Sequence, residues 1–284
     1  MIPKRMFFYW SGNNLSWMRY MTLYSFRKFN PDWEVILFLS DNNNNSKIWK
    51  GPEQQDFLNY NGKNYLDEVE KLNIKIEDVV LPNVIKDNFP DISPIHESDI
   101  FRYYQLHKNG GFYCDMDVLF FRPMDNFYND VTQNNTDLVI HQSKDSLTIG
   151  FLGSSAGSQY FKDIFDFAVK NFNMDDYQSL GVDIIYKMYG GSRQNSMVIN
   201  KIVSRYPTTN IYNIADSLIY HFDWTFIEYN FNNRVGIDKY PDESVGYHWF
   251  GGGKISQHYN NIMNENNYDD YDTTFSEITK NILN

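Results

Sequence analysis

Asp115-Met116-Asp117 places two carboxylates one residue apart, between two apolar runs. If the backbone turns there, both carboxylates can reach one cation, and hard divalent cations favour such oxygen donors. Phe112-Tyr113-Cys114 precedes the pair and Val118-Leu119-Phe120-Phe121 follows it, so the carboxylates emerge from a buried edge. Buried charge without a partner is costly, and a partner is therefore expected. Upstream, Asp99 and Arg102 are three residues apart. On a helix that spacing sets them on one face as an ion pair.

These groups need a scaffold, and the hydrophobic pattern supplies one. Residues 6–10 form a buried strand, Asn13–Phe29 a helix stopped by Asn30-Pro31, and Trp33–Leu39 a second buried strand. Strand, helix and strand at this spacing make a βαβ unit with a largely parallel sheet. Ser93-Pro94 offers an N-cap and an N1 proline to a helix that Gly110-Gly111 ends. Phe112–Cys114 is then a short strand leading into the acidic pair. Further strands are expected at Asp137–His141, Thr148–Gly153 and Val245–Trp249, with helices at Gln159–Phe172, Gln194–Arg205 and Thr273–Leu283. No internal repeat or linker divides the chain, and residues 1–284 are expected to form a single domain.

The joint run Ser98-Asp99, Arg102-Tyr103, Leu106, Gly110-Gly111, Tyr113, Asp115 and Asp117 resembles the sugar-binding region containing a DXD motif. That region is shared by the Och1-like enzymes (glycosyltransferase family 32) and the large clostridial glucosylating toxins. Ile2-Pro3-Lys4, Tyr9-Trp10-Ser11-Gly12 and Asn30-Pro31-Asp32-Trp33 also resemble that family's opening. His248, Gly251 and Lys254 form a His-x-x-Gly-x-x-Lys pattern, similar to that of the retaining family 8 enzymes, although Ile255-Ser256 replaces Pro-Trp after the lysine. The resemblance implies a GT-A fold, a Rossmann-like α/β architecture with a mostly parallel central sheet flanked by helices. It implies a retaining transfer from a nucleotide-sugar donor, a UDP-sugar in preference to GDP-mannose, to a glycan or glycoconjugate acceptor. Asp115, Asp117 and His248 would hold Mn²⁺ or Mg²⁺. Gly251 and Lys254 would clamp the diphosphate, Asp99 and Arg102 would fix the donor sugar, and Trp10, with Tyr9 and Asn13, would contact the nucleoside. Gln194 or Asn195, in the glycine-rich run from Gly190, would face the sugar. The alternatives are a metal-dependent nucleotide-sugar hydrolase and a non-enzymatic carbohydrate-binding domain.

Composition narrows the field. A net charge of −11 over 284 residues disfavours a nucleic-acid partner, which would want a basic face. The lone cysteine, Cys114, excludes an internal disulfide framework and a cysteine-based zinc cluster, and is expected as a buried strand residue. Aromatic residues make up 18% of the chain, which argues against disorder. No stretch reaches the ~20 apolar residues of a membrane span, and the N-terminus lacks a signal-peptide pattern. A cytoplasmic location is expected.

Overall fold

The computed structural model describes residues 1–12, 14–42, 60–143, 147–191 and 198–284. Strand β1 (Arg5–Ser11) sends Met6, Phe8 and Trp10 into one apolar layer and Phe7 and Tyr9 into another. A strand covered on both faces needs such an unbroken apolar run. Helix α1 (Trp17–Phe29) starts later than Asn13 because Ser16 caps it, its hydroxyl accepting the Arg19 N–H at 3.3 Å. Strand β2 (Glu34–Ser40) then lies parallel to β1, with Met6 opposite Val35 and Trp10 opposite Leu39. The expected βαβ unit is present.

After α2 (Leu66–Val69) comes β3 (Lys75–Asp78), whose four exposed residues gave no apolar signal. Next are α3 (Asn83–Asn88) and α4 (Pro94–Asn109), the latter capped by Ser93 with Pro94 in its first turn. Strands β4 (Gly111–Cys114) and β5 (Val118–Phe120) flank the acidic pair, and α5 (Asp125–Gln133) follows. Strands β6 (Leu138–Gln142) and β7 (Leu147–Ser154) precede α6 (Gln159–Asn171) and α7 (Val182–Tyr189). Helix α8 (Ile199–Arg205) begins beyond Gln194, which lies outside the described residues. The chain continues through β8 (Ile211–Asn213), α9 (Ile227–Phe231), β9 (Gly246–His248), α10 (Lys254–Ile262) and α11 (Thr274–Leu283).

Seven strands make one sheet in the order β3-β2-β1-β4-β7-β6-β8. Strands β1 to β4 pair in parallel, β7 runs antiparallel to both β4 and β6, and β8 is parallel to β6. The protein is thus mixed α/β with a mostly parallel central sheet flanked by helices. On one face α4, α6 and α7 bury Phe101, Tyr103, Phe161 and Ile184 against it. On the other, α1 and α5 contribute Leu23, Phe26 and Phe127. The run after the acidic pair leaves the sheet: β5 pairs antiparallel with β9 in a separate two-stranded ribbon. A third apolar cluster seats that ribbon between α1 and α11, with Trp17, Leu119, Tyr247, Trp249 and Phe275 at its centre. Among the described residues, no helix is long and apolar enough to cross a membrane.

Candidate active site

The acidic pair occupies the passage from sheet to ribbon. Helix α4 ends at Gly110, whose φ of 64° and whose closeness to the Ala156 nitrogen, 2.5 Å from where a Cβ would stand, admit only glycine. Strand β4 then pairs with β7, and the Asp115 N–H donates to the Gly150 carbonyl at 2.8 Å. One residue on, the Met116 carbonyl accepts the Thr22 hydroxyl of α1 at 3.0 Å. The Asp117 carbonyl accepts the Trp249 N–H at 2.9 Å, and Val118 lies opposite His248. Sheet, helix and ribbon therefore each fix one residue of the turn. The outcome is a cluster in which Asp115, Asp117 and His248 each offer a donor atom, all within 4.8 Å of one another.

Asp115 is well supplied with partners. Its Oδ1 accepts the Tyr113 hydroxyl at 2.9 Å and lies 3.3 Å from an Arg102 nitrogen. Its Oδ2 lies where a side chain at position 150 would begin, 2.6 Å from the Cβ that Gly150 lacks. Arg102 is buried and also pairs with Asp99 at 2.8 Å, donates to the Ile149 carbonyl at 3.0 Å and lies over the Tyr113 ring. Burial opposes the Arg102 charge, but Asp115, Tyr113 and Asp99 outweigh it and raise the guanidinium pKa. The Asp99–Arg102 pair is thus an intrahelical ion pair that also braces the first carboxylate.

Asp117 is different. Its Oδ2 accepts the Gly251 N–H at 2.7 Å, while its buried Oδ1 accepts no hydrogen bond and lies 3.3 Å from His248 Nε2. Burial alone would raise this carboxyl pKa; His248, Arg19 and the Gly251 N–H outweigh it and hold it below the usual value. His248 is buried, with its ring against Phe250 and Tyr220 and its Nδ1 accepting the Phe250 N–H at 3.3 Å. An orphaned carboxylate oxygen beside a second carboxylate and an imidazole fits a divalent metal ion.

The remaining predicted residues are placed unevenly. Lys254 is exposed at the start of α10 and makes no ion pair with a described residue. The Gly251 N–H is committed to Asp117. Trp10 is 5% exposed and belongs to the core, while Tyr9 points to the opposite face of β1, its phenol pKa pushed up by burial and by Glu97. Asn13, Gln194 and Asn195 lie outside the described residues. Cys114 is fully buried in β4. Arg19 escaped the sequence reading. It is buried beside the cluster, with its guanidinium carbon 4.7 Å from the Trp249 ring centre and 5.5 Å from that of Trp10. A lone arginine in an amphipathic helix carries no signal that separates it from a solvated one.

A family model described as the glycosyltransferase sugar-binding region containing a DXD motif matches residues 16–137. No curated protein matches the chain. Solved structures similar to it include the PaToxG glycosyltransferase, at 17% identity and a TM-score of 0.44 over 72% of this chain and 74% of that one. Mouse xyloside xylosyltransferase 1 is similar at 6% identity and 0.46, over 87% and 98% of the two chains. The glycosyltransferase GlyE of Streptococcus pneumoniae is similar at 9% identity and 0.47, over 92% and 61%.

Proposed function

We propose that this chain is a metal-dependent, retaining glycosyltransferase of GT-A type. It would move a sugar from a nucleotide-sugar donor, a UDP-sugar in preference to GDP-mannose, to a hydroxyl of a glycan or glycoconjugate. The observation that carries this reading is the Asp115–Asp117–His248 cluster, with its orphaned Asp117 Oδ1, inside the region matched by the DXD family. A bound Mn²⁺ or Mg²⁺ would neutralise charge developing on the leaving diphosphate. Asp115, Asp117 and His248 would hold that ion, and exposed Lys254 would add positive charge from the start of α10. Asp99 and Arg102 would set the donor sugar's position beside the first carboxylate, and such positioning contributes much of an enzyme's rate.

The test is a panel of UDP-, GDP- and CMP-sugars with Mn²⁺, with and without sugar acceptors. One donor class should be turned over, faster when an acceptor is added. Asp117→Ala and His248→Ala should each lower turnover by about 100-fold or more while the chain stays folded. Turnover that no acceptor increases would make the chain a hydrolase. Full activity of the His248→Ala chain without added metal would remove His248 from the metal site.

A further inference from the structure

Arg19 is a buried cation with no ion-pair partner among the described residues. The residue is only 7% exposed, yet its buried Nε donates no hydrogen bond to any described residue. No carboxylate of a described residue stands close enough to form an ion pair with it. Its nearest company is aromatic, the rings of Trp249 and Trp10. Burial lowers its pKa, and Asp117 and Asp115 oppose that from beyond contact distance. A guanidinium held largely out of water without a paired anion is costly to the fold. Such a group persists where something else supplies the anion.

The backbone makes room for it. A Cβ on Gly251 would stand 2.4 Å from one Arg19 terminal nitrogen and 2.9 Å from the guanidinium carbon. The Gly251 N–H meanwhile points at Asp117. The glycine of the His-x-x-Gly-x-x-Lys pattern thus serves the arginine's space and the carboxylate's hydrogen bond together. Arg19 also lies in the first turn of α1, just after the C-terminal end of β1, where α1's amide dipoles favour negative charge.

We propose that Arg19 is a recognition residue for the donor's diphosphate, its guanidinium taking anionic oxygens beside the Asp115–Asp117–His248 cluster. The assignment rests on the donor reading above. The charges support it. Two carboxylates match a divalent ion, and Asp99 matches Arg102. The two negative charges of a diphosphate diester then have Lys254 and Arg19 left to meet them.

Calorimetric titrations of Mn²⁺ alone, then of pyrophosphate, UDP and GDP at saturating Mn²⁺, test this on wild type, Arg19→Gln and Arg19→Lys. Arg19→Gln should bind Mn²⁺ no more weakly than wild type, but pyrophosphate and the preferred nucleotide about 10- to 100-fold more weakly, with Arg19→Lys between them. Wild-type affinity for both ligands in Arg19→Gln would overturn the assignment and leave the donor reading standing. An equal loss for Mn²⁺ and diphosphate would make Arg19 a support of the fold and overturn it too. Wild type that takes Mn²⁺ but no diphosphate would overturn the donor reading, and this assignment with it. Should Arg19→Gln not fold, the Arg19 Nε–H resonance of wild type, assigned as the one missing from Arg19→Lys, must move when pyrophosphate and Mg²⁺ are added; a stationary resonance would overturn the proposal.

Discussion

Asp115 and Asp117 are neighbours in the chain and opposites in their surroundings. The sheet side of the turn is saturated: Asp115 has Tyr113 and Arg102, and Arg102 has Asp99, Ile149 and Ser98. The ribbon side is left open: Asp117 Oδ1 lacks a donor, and Arg19 Nε lacks an acceptor. Arg102, Asp117 and Arg19 are all buried, so burial alone does not separate the two sides. Satisfaction does. A polar group met by protein partners is held in place, and a buried one without them still has a hydrogen bond to make.

The contrast can be broken most forcefully at Arg102. Arg102→Ala leaves Asp99 as a buried carboxylate, and the part-exposed Asp115 beside it, without their cation, and should cost about 3–5 kcal/mol in urea unfolding. A cost near that of Arg19→Gln would erase the difference between the two sides. A milder probe is Gly150→Ala, whose Cβ would meet Asp115 Oδ2 at 2.6 Å and push that carboxylate off its partners. The chain should fold, and Mn²⁺ affinity by titration should fall about tenfold. Unchanged affinity would show that Asp115 contributes little to the cluster.

The smallest effect belongs to His141, further along the same saturated side. Its Nδ1 lies 3.0 Å from Thr148 Oγ1 and its Nε2 2.7 Å from Asp216 Oδ1. Burial lowers its pKa from 6.5, partly opposed by Asp216. Below pH 6.5 the unfolded chain therefore takes up a proton that the folded chain refuses. Stability from this residue is complete above that pH and falls as the pH drops towards the folded-state pKa. Urea midpoints measured from neutral to mildly acidic pH should be flatter for His141→Gln than for wild type.

Periodicity and punctuation located what depends on local chemistry. The β1–α1–β2 unit follows from the buried apolar strands and the Asn30-Pro31 stop, while the start at Ser16, rather than Asn13, is set by its cap. Ser93, Pro94 and Gly110 bound α4 as expected. The grouping of Asp115, Asp117 and His248 was expected from a family resemblance, since a carboxylate pair alone does not say which distant histidine joins it. Strand β3 was missed because Lys75, Ile76, Glu77 and Asp78 all face solvent and only their register with β2 makes them a strand. Arg19 was missed because its environment is tertiary: the Trp249 ring reaches it only after β9 pairs with β5. Trp10, read as a nucleoside platform, lies in the core because β1 is covered on both faces.

The ribbon gives the molecule a timetable. His248 meets Val118 only by closing the whole intervening chain, which is slow to search and costly in loop entropy. The parallel strands β1, β2 and β4 lie within the first 114 residues and can assemble before that closure. A nascent or truncated chain could therefore own a nearly finished sheet, with Asp115 and Arg102 in place, and still lack His248 and the cradle around Arg19. In chain order the sheet precedes the site, because β9, which carries His248, follows every strand of that sheet.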